Sequence, residues 1–206
     1  MSWRVVPLLG VIVFVGLGFG WRSWLQVRRH GSTGIVMFRS GRLAQNLREG
    51  LFIVLTGAIA VEAVLAAVAP ATLARLGTLP DAAVALLRPV GLGLVLLATA
   101  LMVVAQLDLG ASWRIGIEEG ARPGLVTDGL YQFCRNPIFL FMLAALVGFG
   151  LLLPNWLSLV LVLGGIAGVR QHVRDEEAYL TRSYGDVYRG YARRVGRFLP
   201  AIGRLA

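Results

Sequence analysis

Two polar clusters flank the last apolar part of the sequence, and their residue types could do chemistry. The first is LVTDGLYQFCRNPIF at 125–139, and the second is VRDEEAYLTRSYGDVYRGYARRVGRFLP at 173–200. Arginine donates to carboxylates and phosphates, glutamate accepts from ammonium and hydroxyl groups, and tyrosine combines an apolar ring with a polar tip. Such a set suits the wall of a binding site. The tyrosines suit a membrane-interface belt equally well.

A short helical hairpin is expected to bring these clusters together. The apolar runs at about 138–153 and 156–169 are separated only by Pro154 and Asn155. Because such a hairpin turns back on itself, the residues just before it and just after it must lie close in space. The two clusters therefore converge, although some 40 positions separate them in the sequence.

The composition is that of a membrane protein. The hydrophobic fraction is 57% and the charged fraction 15%, far more apolar than a soluble domain of this size. The net charge of +9 comes from arginines spread between apolar runs, a pattern that fits topology signals rather than nucleic-acid binding. Cys134 is the single cysteine, so an intrachain disulfide is excluded.

The predicted fold class is all-α, a polytopic integral membrane protein with about five transmembrane helices. The last two form the tight hairpin, and a cytoplasmic helical segment follows. We expect one membrane domain over 1–206, in which 1–110 holds three spans with a basic loop and 111–206 holds the catalytic part. The predicted segments are spans at about 3–25, 51–69 and 84–107, the hairpin at 138–169 and C-terminal helices at 170–197. The first is read as a retained span rather than a cleaved signal peptide.

Arginine placement predicts the orientation of these spans. Seventeen of the 20 basic residues fall in the segments after the first, third and fifth apolar runs, and only Arg4, Arg75 and Arg88 fall on the other side. Because basic residues concentrate in cytoplasmic segments, we expect the N-terminus outside the cell and the C-terminus in the cytoplasm.

The paired motifs resemble those of a known family. GLYxxxRNPxF, followed by RxEExxLxxxYGxxYxxYxxRVxRFLP, is similar to the isoprenylcysteine carboxyl methyltransferase and phospholipid methyltransferase superfamily. Its members are integral membrane enzymes that use S-adenosylmethionine. The resemblance covers about 125–200. Many members have Arg-His-Pro where this chain has Asn136, and asparagine cannot shuttle a proton as histidine can.

The resemblance implies S-adenosylmethionine as cofactor and assigns Glu176 and Glu177 to its binding. The cofactor also needs donors for its carboxylate and an apolar slot for its adenine. The predicted cofactor-binding residues are Leu125, Val126, Tyr131, Arg135, Asn136, Pro137, Glu176, Glu177, Leu180 and Tyr188. The predicted catalytic residues are Arg135, Arg174 and Glu177. Ile138 could also line the adenine slot, and no metal is expected.

The expected function is methyl transfer to a lipophilic acceptor that enters from the bilayer. In-line transfer needs alignment and exclusion of water rather than a covalent enzyme intermediate. A prenylcysteine carboxylate, a phospholipid amine and a small lipophilic thiol or acid are all open as acceptors, and a carboxylate or thiolate is favoured because it needs no general base. Alternative functions are a phospholipid N-methyltransferase, an NADPH-dependent sterol-type reductase and a non-enzymatic membrane scaffold.

Several of these residues have a structural alternative. Pro137 could simply begin a helix, Arg135 could anchor at the interface, and the acidic pair could form a solvated helix face. Cys134 is interpreted as a small packing residue rather than a nucleophile, and His172 as structural or solvated.

Two further regions stand out near the second and third spans. Glu62 near the middle of the second span could meet a substrate, bond to Thr56 or Thr99, or be protonated. In the polar loop DLGASWRIGIEEG, which follows the third span, Trp113 and Arg114 are candidate lid or entrance residues.

Overall fold

Helices form the framework of the protein in the residues that the structure describes. The structure is a computed structural model, and it describes residues 3–116 and 124–205. The helices are α1 (Val6–Val15), α2 (Arg22–His30), α3 (Leu43–Val68), α4 (Pro70–Ala74), α5 (Asp81–Asp108), α6 (Pro137–Leu152), α7 (Trp156–Tyr184) and α8 (Asp186–Arg194). A π-helical turn, Gly16–Trp21, joins α1 to α2, so both belong to one continuous helix.

Four helices within the described ranges are long and apolar enough to cross a membrane. They are Val6–His30, Leu43–Val68, Asp81–Asp108 and Trp156–Tyr184. Helix α6 is apolar but has 16 residues, which reach about 24 Å at 1.5 Å per residue, short of a hydrocarbon core of about 30 Å. The prediction of an all-helical membrane protein is confirmed. The count of five full spans is not.

Helix α7 differs from the sequence prediction. The apolar run that was expected to end near residue 169 and the polar helix expected from 170 form one helix of 29 residues, Trp156–Tyr184. Hydropathy marks where side chains leave the membrane, whereas the backbone ladder continues until a residue breaks it. Gly185 does so at φ +56. It also occupies the N-cap of α8, and Asp186 is the first residue of that helix.

Close backbone approach joins α5 to the hairpin. A side chain on Gly91 would meet the carbonyl oxygen of Gly148 at 2.7 Å, and one on Gly148 would meet that of Gly91 at 2.9 Å. Glycine pairs of this kind allow membrane helices to touch along their backbones. The contact lies within one chain.

The hairpin turn explains the buried Glu62. Its Oε1 accepts hydrogen bonds from Asn155 Nδ2 and Ser158 Oγ, both at 2.6 Å. Neither Thr56 nor Thr99 is its partner, because their hydroxyls donate to carbonyls one turn earlier in their own helices. Glu62 therefore fixes the turn between α6 and α7.

Candidate functional site

The hairpin brings the two polar clusters together, as predicted. Arg135 Nε lies 3.0 Å from Glu177 Oε1, and Asn136 Nδ2 lies 3.1 Å from the same oxygen. Arg197 donates to Glu177 Oε2 from Nε at 2.9 Å and from Nη2 at 2.7 Å. We call Arg135, Asn136, Glu177 and Arg197 the clasp. Glu177 is 6% exposed, so the carboxylate is removed from water and held by charged donors.

The clasp also holds the C-terminal tail. Arg135 Nη1 donates to the carbonyls of Ala192 at 2.9 Å and Val195 at 2.6 Å, and Nη2 donates to that of Gly203 at 3.0 Å. Each nitrogen of this guanidinium is thus engaged with protein acceptors. The structure gives Arg135 the task of tying the tail to α6, and its predicted part in binding the cofactor's carboxylate stays a prediction.

Gly196 lets the tail approach the Arg-Asn-Pro step closely. Its carbonyl accepts from the backbone N–H of Arg135 at 2.9 Å. A side chain at Gly196 would lie 2.7 Å from the carbonyl oxygen of Ile202, so only glycine fits there. The VGRF turn in the motif is therefore a packing requirement. The Glu177 hydrogen bonds to Arg197 raise the pKa of that guanidinium, so it stays charged.

The Gly-Leu-Tyr turn is fixed by Asp108 at the end of α5. Gly129 has φ +57 and packs directly against the Asp108 carboxylate, where a side chain has no room. Asp108 Oδ2 accepts from the Leu130 N–H at 2.8 Å. Tyr191 Oη donates to the carbonyl of Tyr131 at 2.6 Å. The turn therefore presents Tyr131 from a rigid support.

A cavity of about 260 Å³ lies beside the clasp. Its lining combines polar side chains with apolar side chains of the membrane helices. Polar lining residues include Gln106, Arg114, Asn136, His172, Glu176 and Tyr188. Apolar lining residues include Phe14, Phe52, Leu55, Leu146, Phe149 and Leu161. One continuous space thus joins a charged region to an apolar one.

Most of the predicted site residues line this cavity, and three do not. The predicted residues in the lining are Leu125, Val126, Tyr131, Arg135, Asn136, Glu176, Leu180 and Tyr188. Pro137 is buried as the first residue of α6, which is the structural alternative noted above. Glu177 belongs to the clasp, and Arg174 is exposed. Their catalytic and binding roles stay predictions.

His172 and Arg114 are cavity residues whose places only the structure settles. His172 was expected to be structural or solvated, and Arg114 was only a candidate entrance residue. Both line the cavity. The steps of four from His172 to Glu176 and Leu180 put all three on one face of α7, a signal that the sequence carries. The predicted entrance loop DLGASWRIGIEEG and Arg122 extend past residue 116, and residues 117–123 lie outside the described residues.

Burial shapes the electrostatics of the tyrosines around the cavity. Desolvation raises the pKa of Tyr131 and Tyr188 well above the ordinary value, so both phenols stay neutral. Within the described residues, no protein atom is hydrogen-bonded to Tyr188 Oη or to Gln106 Oε1, although both atoms are buried. Buried polar atoms normally have partners. Tyr188 and Gln106 are therefore lining residues that each keep a buried polar atom without a partner among the described residues.

Comparison with known proteins finds similarity in sequence. The family model described as Phospholipid methyltransferase matches residues 86–187. The Protein-S-isoprenylcysteine O-methyltransferase of Schizosaccharomyces pombe (strain 972 / ATCC 24843) is 36% identical over 81 residues, which are 38% of this chain and 34% of that protein. The matched part is thus about a third of the curated relative's length.

A solved structure shares the fold. The eukaryotic intramembrane Ras methyltransferase ICMT (isoprenylcysteine carboxyl methyltransferase), solved without a monobody, superposes with a TM-score of 0.60 at 18% identity, over 100% of this chain and 70% of that one. The region of the family match contains the Arg-Asn-Pro step and the acidic pair. The sequence matches and the shared fold together support the resemblance of this chain to the superfamily of membrane methyltransferases that includes the phospholipid and isoprenylcysteine carboxyl methyltransferases.

Proposed function

We propose that this protein is an S-adenosylmethionine-dependent methyltransferase that acts on a lipophilic acceptor at the cytoplasmic face of a membrane. The observation that carries the proposal is the continuity of the cavity. Charged side chains such as Arg114 and Glu176 line one part of it, and Phe14 and Phe149 line another. A charged cofactor and an apolar acceptor can therefore meet in one space.

The cavity residues fit the chemical groups of S-adenosylmethionine. The Glu176 carboxylate would accept from the ammonium or the ribose hydroxyls, and the Arg114 guanidinium would donate to the carboxylate. Leu125, Val126 and Leu180 would form the slot for the adenine. The buried hydroxyl of Tyr188, which has no protein partner in the described residues, offers one more donor or acceptor.

The bound cofactor supplies an electrophilic methyl group on its sulfonium. The residues of this chain bind and align the reactants and exclude water, and alignment alone can contribute about 7–11 kcal/mol to lowering a barrier. A carboxylate or thiolate acceptor reacts without a general base, whereas an ammonium must first lose a proton. We therefore favour an acceptor like that named for the yeast relative, an isoprenylcysteine carboxylate, over a phospholipid amine.

Arginine placement is the support for the orientation. With the N-terminus outside, the clasp, the tail and the polar end of the cavity all lie on the side that holds most arginines. Labelling of introduced cysteines in intact cells, with a reagent that does not cross the membrane, tests this assignment. A cysteine introduced into the tail should not react, and its reaction would reverse the assignment.

Binding and turnover assays test the function itself. Isothermal titration of purified protein should show binding of S-adenosylmethionine and none of NADPH. Incubation with methyl-labelled cofactor and either farnesylcysteine or phosphatidylethanolamine then identifies the acceptor, and we expect label in the farnesylcysteine ester. Label in the phospholipid alone would favour the N-methyltransferase. NADPH binding without S-adenosylmethionine binding would indicate the reductase, and binding of neither would indicate the scaffold.

A further inference from the structure

The loop that follows α5 forms one wall of the cavity. It begins with the 3-10 turn Gly110–Ser112 and continues into Trp113 and Arg114, which both line the cavity. Trp113 is 2% exposed. We call residues 109–116 the wall loop. It lies apart from the two motifs that carry the family resemblance. Its own backbone hydrogen bonds are those of the one 3-10 turn, so the rest of the loop depends on other elements to fix it.

A buried arginine from the N-terminal helix holds the wall loop. Arg22 is 2% exposed, and its Nη2 donates to the carbonyls of Gly110 at 2.9 Å and Gln106 at 3.2 Å. Its guanidinium carbon lies 4.5 Å from the centroid of the Trp113 ring. Arginine is suited to this combination, because a planar guanidinium can hydrogen-bond at its edge while it stacks on an aromatic face.

Gln26, one turn after Arg22, extends this network. Its Oε1 accepts from Arg22 Nη1 at 2.7 Å, and its Nε2 donates to the carbonyls of Ala111 at 3.1 Å and Trp113 at 3.4 Å. Two side chains of α2 therefore satisfy carbonyls at several positions of the wall loop. These carbonyls are buried or partly buried, so the loss of their donors would cost stability.

The π-helical turn sets the same helix against α5. Gln106 Nε2 donates to the carbonyl of Gly18, inside this turn, at 2.9 Å. Gly18 also packs against Met102, where a side chain would collide. π-Helical turns often occur at functional sites. Here the turn places Arg22 and Gln26 beside the wall loop, within hydrogen-bond distance of it.

The far end of the wall loop reaches α7 and the segment after α2. Ile115 N donates to the Gly34 carbonyl at 2.7 Å. Arg114 Nη2 lies 3.3 Å from Tyr179 Oη, and the guanidinium lies 5.4 Å from the centre of that ring. Contacts with other elements thus hold the wall loop at both ends, and these contacts determine the position of Arg114.

We propose that Arg22 is a positioning residue that sets Trp113 and Arg114 in the cavity wall, so that Arg114 meets the anionic group of the ligand. This inference rests on the proposed function for the identity of that ligand. It also gives the N-terminal helix, which lies outside the family match at 86–187, a part in the site.

Arg28 provides a matched control on the same helix. Its guanidinium carbon lies 5.0 Å from the centroid of the Trp24 ring, but both side chains are exposed. We expect Arg22→Met to raise the Kd for S-adenosylmethionine about tenfold or more, as loss of a charged buried hydrogen bond would. Arg22→Lys should restore part of the affinity, and Arg28→Met should match the unmodified protein.

Gln26→Leu decides the question if Arg22→Met fails to fold. It keeps the bonds from Arg22 to Gln106 and Gly110 and removes the bonds of Gln26 to Ala111, Trp113 and Arg22. We therefore expect a folded protein with a Kd about threefold to tenfold higher. Unchanged affinity in both Arg22→Lys and Gln26→Leu, with unfolding midpoints like the unmodified protein, would overturn the inference.

A second readout does not depend on the cofactor. In a Cys134→Ala background, a nitroxide attached at Ala111→Cys reports the mobility of the wall loop, since Ala111 is exposed. We expect a restricted spectrum with Arg22 or with Arg28→Met, and a mobile one with Arg22→Met or Gln26→Leu. Restricted spectra throughout would refute the positioning role even if S-adenosylmethionine binds. Absence of cofactor binding in the unmodified protein, together with the expected mobility change, would refute only the proposed function.

Discussion

A buried glutamate lies in a hydrogen-bond network at each end of the hairpin of α6 and α7. The donors are neutral side chains at one end and arginines at the other. At the turn, Glu62 accepts from the neutral side chains of Asn155 and Ser158. At the open end, Glu177 pairs with the two arginines of the clasp. The two glutamates are 2% and 6% exposed, so burial does not distinguish them.

Partners distinguish the two ends. In the part of the chain that the structure describes, the cavity lining includes neither Glu62 nor Asn155, whereas Arg135 of the clasp belongs to it. Neutral donors can fix a turn with little electrostatic consequence. A charged clasp fixes the tail and also sets the field beside the cavity. A buried acidic residue in a membrane helix is therefore not by itself a sign of a site.

The largest effect is expected for Glu177→Ala. The change leaves Arg135 and Arg197 without their counter-charge, and breaking a buried pair costs about 3–5 kcal/mol. The free energy of unfolding, measured in detergent, should fall by that amount, and the tail after Ala192 should become sensitive to trypsin. A fall of less than about 1 kcal/mol would mean that the pair adds only what an exposed pair does.

Glu176→Gln should separate binding from stability. Glu176 lines the cavity and does not belong to the clasp, so removal of its charge should weaken S-adenosylmethionine binding about tenfold, the value of a charged hydrogen bond. The unfolding midpoint should stay close to that of the unmodified protein. If titration shows equal affinity, Glu176 does not bind the cofactor.

Glu62→Gln should have the opposite pattern, a small loss of stability with cofactor binding almost unchanged. Gln keeps an acceptor for Asn155 and Ser158 but replaces one carboxyl oxygen with an amide nitrogen, so we expect a loss of about 1 kcal/mol in unfolding free energy. The cofactor Kd should change less than twofold. A large change in Kd would mean that the turn is coupled to the site and would remove the contrast between the two ends.

Cys134 should give the smallest effect. Burial raises the pKa of its thiol above the ordinary value of about 8.5, so the reactive thiolate is scarcer at any pH below that raised pKa. Iodoacetamide should therefore react more slowly with the native protein at pH 8 than with the unfolded chain. Methyl transfer by Cys134→Ala should match that of the unmodified protein. Equal alkylation rates, native and unfolded, would contradict this.

The convergence of the two clusters could be predicted because it depends on local features. A two-residue break between apolar runs forces a hairpin, and a hairpin brings its ends together whatever packs around it. The split between Glu176 and Glu177 could not be predicted in this way. Neighbours on a helix point about 100° apart, and only packing decides which of them faces the cavity. The sequence interpretation therefore assigned both to cofactor binding, and Glu177 to catalysis as well.

The sequence by itself determined the membrane class, the hairpin and the residue types at the site, because hydropathy and turn residues act over short distances along the chain. Only the tertiary structure decided that Arg135 holds the tail, that His172 and Arg114 line the cavity, and that Arg22 holds the wall loop. The bonds from Arg22 to Gln106 and Gly110 join residues 84 and 88 positions apart. Such pairs leave no periodic trace in a single sequence, because they are chosen by how whole helices pack.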